Sequence, residues 1–415
     1  MSRALSCIVF LMASFTWRSD GRRGYGPGRQ DWGHIEVRPG GHMFYWLFYT
    51  KDGDVPSCAD RPLIIWLQGG PGSASTSYGN LGEVGPIDLD SRMRDSTWVK
   101  HFNVLFIDQP LGTGFSYLEE HTKFPENNRE LGRDLVSFMK GFYGRHRAFQ
   151  KVPLHIFGQS YGAKVAAEFA LQLQDGQNRG QISFQLISVN LVSPWISPLH
   201  SVMSWGRILL RIGAVDEQMY KEIHAASLQV AHLMRRNLWS DASNQMFIVQ
   251  RLIAAQRIGL YNFMDRSEES TELREAQIMN GPVRIALNLS DNLQFEGSSN
   301  FVFDRLSNDF MKPALTTVSQ LLDGTSLKVN IISGQLDLIC STLGTMHWIK
   351  KLKWSERKAY FSAPREDIIF GNRIEGFQKT GGNLTIFYVK NAGHSVPVEN
   401  PRAMSRILRI VTQFG

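Results

Sequence analysis

Apolar positions in this chain fall into two rhythms. Short dense runs at 34–38, 42–49, 62–67, 103–108, 152–157, 184–191, 327–333 and 383–389 read as strands, and 62–67 is apolar throughout, as a strand buried on both faces must be. Patterns with the helical period of 3.6 residues occupy 131–139, 165–171, 216–238, 242–258 and 401–412. The order strand, helix, strand across 103–157 predicts parallel pairing. From about 195 to 308 strand signals vanish and helical ones dominate. The expected architecture is therefore an α/β core over 32–194 and 309–415, with a mostly parallel central sheet, helices on both faces and a helical cap insertion at 195–308.

The turns after these strands carry the chemistry. The strand at 62–67 ends in Gln68-Gly69-Gly70-Pro71-Gly72, a turn that exposes backbone N–H groups at the carboxyl edge of the sheet. Neither a P-loop lysine nor a complete G-x-G-x-x-G follows, so the turn reads as an oxyanion-binding loop. The strand at 152–157 turns into a helix through Gly158-Gln159-Ser160-Tyr161-Gly162, the G-x-S-x-G of a nucleophile elbow. Serine is a weak nucleophile until a base takes its proton, and a third group must hold that base in one tautomer. Ser160, Asp337 and His394 supply nucleophile, acid and base in the chain order of the α/β-hydrolase fold, each directly after an expected strand. The competing residues fit worse: His155 lies within a strand, His347 within a helical pattern, and Asp108 precedes Ser160 and orders its own loop.

Composition narrows the alternatives. The 415 residues are 43% hydrophobic and 20% charged, with a formal charge of +7. Lys and Arg are scattered and do not alternate with aromatics, which speaks against a nucleic-acid partner. Residues 1–19 open with a basic residue and a short apolar run, too short to span a bilayer, and read as a signal peptide. The Arg/Gly-rich stretch 20–31 reads as a flexible arm. Three cysteines, Cys7, Cys58 and Cys340, leave at most one disulfide once a signal is removed. Asn288 and Asn383 each begin an N-x-S/T sequon, in agreement with a secretory route and a secreted or lysosomal destination.

With these residues placed, the chain resembles the serine carboxypeptidase family. The carriers are the Trp66-to-Gly72 turn, Asp108-Gln109-Pro110-Leu111-Gly112-Thr113-Gly114-Phe115-Ser116-Tyr117, the elbow, Asn280-Gly281-Pro282, Gly334-Gln335-Leu336-Asp337 and Ala392-Gly393-His394-Ser395-Val396-Pro397. The resemblance implies removal of C-terminal residues from peptides and proteins through an acyl-enzyme, without metal or cofactor. It implies that the N–H groups of Gly70 and Tyr161 form the oxyanion hole, and that Gln68, Glu83 and Gln159 grip the substrate's terminal carboxylate. The family's G-E-S-Y-G-G reads here Gly158-Gln159-Ser160-Tyr161-Gly162-Ala163, so an amide replaces the acidic partner of Glu83. The family's acyltransferase branch and a catalytically weak binding relative are the alternatives.

Overall fold

A computed structural model describes residues 21–50, 60–265 and 271–414. The strands are β1 (Gln30–Arg38), β2 (Gly41–Phe48), β3 (Leu63–Leu67), β4 (Asn103–Ile107), β5 (Tyr117–Leu118), β6 (Pro153–Gln159), β7 (Gln185–Val192), β8 (Lys328–Gly334), β9 (Glu366–Phe370), β10 (Arg373–Gly381) and β11 (Leu384–Val389). They build one sheet in the order β1-β2-β4-β3-β6-β7-β8-β11-β10-β9, with β5 on β2. From β4 to β11 every pairing is parallel, and both flanks are antiparallel.

Every residue of β3 and β4 is buried, and the pleat sends alternate side chains to opposite faces. Leu63, Ile65 and Leu67 join one apolar cluster, with the helices Asn128–Arg145 and Tyr161–Asn178, while Ile64 and Trp66 join the other, with the closing helix Pro401–Thr412. Burying such side chains is worth roughly 1.5–3 kcal/mol each. Polar residues inside the sheet are paired: His155 Nδ1 contacts Ser188 Oγ at 2.8 Å, and Asn190 links Ser188 to Asn330. His155 is thus a core histidine, and burial pulls its pKa down to about 4.

Between β7 and β8 the described residues contain helices and no strand. The helices Pro198–Arg211, Glu217–Arg235, Trp239–Ala254, Glu272–Ile278 and Asn300–Phe310 lie in this stretch. The last of them runs past the expected boundary at 308, because its Asp309 is tied to the elbow helix.

Two expectations need correction. Residues 21–31 are no flexible arm: Arg22 pairs with Gln30 through two backbone hydrogen bonds, its guanidinium stacks on Trp32 at 3.8 Å, and the buried Gln30 accepts from Trp46 Nε1. Arg22 also forms an ion pair with Asp31 at 2.6 Å. The hairpin β9–β10 was not expected from the sequence. Its outer strand β9 is the edge of the sheet, with all but Ile368 exposed, and no apolar alternation betrays the hairpin. Residues 1–19 and Cys58 lie outside the described residues.

Candidate active site

The strand β6 passes into the helix Tyr161–Asn178 at Ser160, whose backbone takes φ 58°, ψ −123°. A positive φ at serine costs on the order of 1–3 kcal/mol. It is held in place by hydrogen bonds from Ser160 N to Val192 O and from Trp195 N to Ser160 O, both 3.0 Å. The sharp turn leaves the side chain half-exposed at the carboxyl edge of the sheet, as the elbow motif requires.

The turns after β8 and β11 bring the other two groups together. Asp337 Oδ2 lies 2.9 Å from His394 Nδ1, and Asp337 Oδ1 accepts from Cys340 N at 2.9 Å. Burial pulls the His394 imidazolium down, but Asp337, with Glu83 and Glu399 behind it, outweighs burial and raises the pKa. A segment of the cap crosses both turns. Leu338 N and Ile339 N donate to Leu260 O, Phe263 N donates to Leu336 O, and His394 N donates to Tyr261 O at 2.7 Å. The Tyr261 ring stands 5.2 Å from the imidazole.

Cys340 belongs to this cluster more closely than the sequence showed. Its thiol hydrogen-bonds Ser160, and burial followed by the Asp337 charge pushes its pKa well up. It is a free thiol. The ligand-type atoms of Asp337, Cys340 and His394 lie within 4.8 Å of one another. Two of the three are already bound to each other, and burial disfavours the thiolate that would bind a metal, so the set is better described as a hydrogen-bonded Asp–His pair with a buried thiol beside it. The only advance signal was the spacing of Cys340 three residues after Asp337.

The Gly-rich turn after β3 packs directly against the elbow. A Cβ at Gly69 would lie 2.8 Å from Ser160 Cβ and 3.0 Å from Tyr161 N, so only glycine lets the Gly69–Gly70 backbone come this near. Gly70 has φ 102°, also a glycine conformation. Tyr161 opens its helix, and first-turn N–H groups have no partner within a helix. Gly69, which leads into Gly70, and Tyr161 thus adjoin Ser160 on one side.

Gln68, Gln159 and Glu83 form a hydrogen-bonded chain on the other. Trp66 Nε1 donates to Gln68 Oε1 at 2.7 Å, Gln68 Nε2 donates to Gln159 Oε1, and Gln159 Nε2 donates to Glu83 Oε2 at 3.0 Å and to His394 O at 3.2 Å. All three are buried. Burial pushes the Glu83 carboxyl up to about 7, against the hydrogen bond from Gln159. Glu83 sits on a π-helical turn, Ser75–Val84, a Ser/Gly-rich stretch with no helical signature in its sequence. Buried Asp108 fixes that turn, accepting from Thr76 N, Thr76 Oγ1 and Phe115 N at 2.8–3.1 Å. Its role is to order loops, as its place in the sequence suggested.

A model of the serine carboxypeptidase family matches residues 23–413. The chain belongs to the serine carboxypeptidase family. The retinoid-inducible serine carboxypeptidase of Homo sapiens is 32% identical over 422 residues, covering 93% of this chain and 92% of the relative. Serine carboxypeptidase-like 51 of Arabidopsis thaliana is 30% identical, with the same two coverages. In fold, this serine carboxypeptidase is similar to Kex1(delta)p, a prohormone-processing carboxypeptidase of Saccharomyces cerevisiae, at a TM-score of 0.80 and 23% identity over 94% of each chain. The fold is that of the α/β-hydrolases, and the enzyme is a serine-type carboxypeptidase acting on peptides.

Ala163 and Ala74 stand where the family pattern has small residues of other kinds. Both side chains are fully buried in the apolar clusters, so the added methyl of Ala163 is absorbed by packing.

Proposed function

We propose that Ser160, His394 and Asp337 remove the last residue of a peptide through an acyl-enzyme on Ser160. Ser160 Oγ attacks the carbonyl carbon of the terminal peptide bond and its proton passes to His394 Nε2. The N–H groups of Gly70 and Tyr161 stabilise the resulting oxyanion, a contribution of about 10²–10³ in rate per donor in comparable sites. The imidazolium then protonates the leaving amine, and water, deprotonated by His394, releases the acyl group and restores Ser160.

The observation that carries the exopeptidase reading is the chain Gln68–Gln159–Glu83. Its middle member, Gln159, adjoins the nucleophile, and it presents two amides and one carboxyl whose pKa is pushed up to about 7. A terminal carboxylate fits there when Glu83 carries a proton and donates it in a hydrogen bond. Internal peptide bonds offer no such anion.

The test uses a fluorophosphonate probe on the purified protein, then one peptide with a free and one with an amidated C-terminus. We expect labelling that Ser160→Ala abolishes, and release from the free carboxylate alone. Equal release from both peptides sinks the carboxylate grip; labelling without any release favours acyl transfer; no labelling points to a binding role.

The amide at 159 sets the pH dependence. One proton, on Glu83, is needed for binding, so catalytic efficiency falls with a one-proton slope as pH rises through about 7, while protonation of His394 limits it on the acid side. In Gln159→Glu, two close carboxyls and the substrate anion need a second proton, so the fall starts at lower pH and steepens. A wild-type profile as steep and as acidic as that of the variant would contradict this reading.

Passage through the secretory route fits the sequence of residues 1–19, and no helix among the described residues is long and apolar enough to cross a membrane. Of the two sequons, Asn288 is exposed, whereas Asn383 Nδ2 donates to Thr325 O at 3.4 Å and its Oδ1 accepts from Lys328. Asn288 is the better placed acceptor for a glycan.

A further inference from the structure

The loop that carries His394 is short and holds a glycine on one side of the base and a serine on the other. Such a loop needs something to fix it. Glu399 lies five residues downstream, at the end of the helical turn Val396–Glu399, and the turn folds its side chain back onto the loop. Glu399 Oε2 accepts from Gly393 N at 2.9 Å and Oε1 from Ser395 N at 3.2 Å. One carboxylate thus holds the two peptide N–H groups that flank the imidazole in the chain. Hydrogen bonds to a charged acceptor are roughly twice as strong as neutral ones.

The same carboxylate also reaches the cap. Asn262 Nδ2 donates to Glu399 Oε2, and Asn262 Oδ1 accepts from Met264 N at 3.0 Å, so the amide orientation of Asn262 is fixed from both ends. Gly393 packs directly under this contact: a Cβ there would lie 2.2 Å from Tyr261 O. The cap segment 261–262, the His394 loop and Glu399 therefore form one tightly fitted layer. On its outer side Glu399 borders a cavity of about 680 Å³ that Arg373, Lys390, Arg402 and Glu375 also line.

We propose that Glu399 is a positioning residue for His394, and that Asn262 ties this positioning to the cap. The proposal rests on His394 being the base. Glu399 does not touch the reacting atoms; it sets the direction in which the imidazole points and adds negative charge behind it. The groups facing the imidazole are Asp337 from the turn after β8, Cys340 beyond it, Glu83 from the π-helical turn and Tyr261 from the cap. None of them bonds both flanking amides.

The experiment compares the wild-type chain with Glu399→Gln and Glu399→Asp. It measures kcat and KM across pH on a peptide with a free C-terminus, together with the fluorophosphonate labelling rate and thermal unfolding. In Glu399→Gln the amide group faces backbone N–H donors, so the loop loosens and a charge is lost. We expect kcat to fall about 10–100-fold, the range for small misplacements of a reacting group. KM stays within about threefold, because the carboxylate grip is made by other residues. The acid limb of the pH profile moves to lower pH. Glu399→Asp keeps the charge and leaves the acid limb in place. A Glu399→Gln protein that folds and keeps both its kcat and its acid limb overturns the proposal. If that variant does not fold, Asn262→Ala takes its place: a several-fold fall in kcat at constant KM is expected, and unchanged kcat overturns the coupling to the cap. A wild-type protein with no labelling and no hydrolysis marks instead the failure of the underlying active-site reading.

Discussion

Asp337→Asn is expected to lower kcat about 10⁴-fold with the fold intact, the size of effect seen when a triad base is locked in the wrong tautomer. Asp337 uses both oxygens: Oδ1 accepts from Cys340 N and Oδ2 faces His394 Nδ1. An asparagine keeps one acceptor, and the Cys340 amide, fixed by the backbone, holds it. The new NH₂ then points at Nδ1 and forces that nitrogen to accept. The ring proton moves to Nε2, where it blocks uptake of the Ser160 proton. Single-turnover acylation measured alongside peptide KM checks this: the rate of acylation should collapse while KM changes little. A loss under about tenfold would remove Asp337 from the role of orienting acid.

Lys164→Met is expected to cost about 3–5 kcal/mol of stability, the usual penalty for stranding one half of a buried ion pair. Lys164 Nζ lies 2.6 Å from both Asp309 Oδ2 and Asp309 O, and Tyr161 OH donates to the same Oδ2 at 2.8 Å. Both charged residues are at most 5% exposed. Burial alone would push the Asp309 carboxyl up, but Lys164 and Tyr161 outweigh it and hold the carboxyl below its ordinary range. Without the ammonium, the buried Asp309 carboxylate keeps only neutral donors, the Tyr161 hydroxyl and the Asn128 backbone N–H, and no balancing charge. The double variant Lys164→Met with Asp309→Leu should recover much of the loss, since an apolar pair of similar volume replaces the ions. Denaturant midpoints of the two variants decide it; equal destabilisation in both would show that packing, not stranded charge, sets the cost.

How far these features could be read in advance depends on how local their cause is. The central strands were legible because burial on both faces forces an apolar residue at every position, as in Leu63–Leu67. The pairing of Asp337 with His394 was legible because each follows a strand, so chain order carried that part of the geometry. The hairpin β9–β10 was not, since an edge exposed to solvent accepts polar residues and glycine. The π-helical turn under Glu83 was hidden in a Ser/Gly-rich stretch whose shape is imposed from outside, by Asp108. Residues 21–31 looked like an arm because Arg and Gly dominate them; the stacking of Arg22 on Trp32 is a tertiary contact that composition does not encode. The Lys164–Asp309 pair joins residues far apart in sequence, and a buried lysine leaves no periodic trace. Glu399 was invisible for the opposite reason: a glutamate in a helical turn near the surface looks like solvation until its two backbone partners are seen.

The cap segment 260–263, which bonds to both the Asp337 and His394 turns, has a consequence for how such an enzyme can change. Leu260 and Tyr261 supply carbonyl oxygens to both turns, so the cap acts as a splint for the Asp337 and His394 turns. Exchanging the whole cap to obtain a new side-chain preference would take the splint away with it. New specificity is more readily reached by altering the cap helices while residues 260–263 stay in place, which makes this short segment the part of the insertion least free to drift.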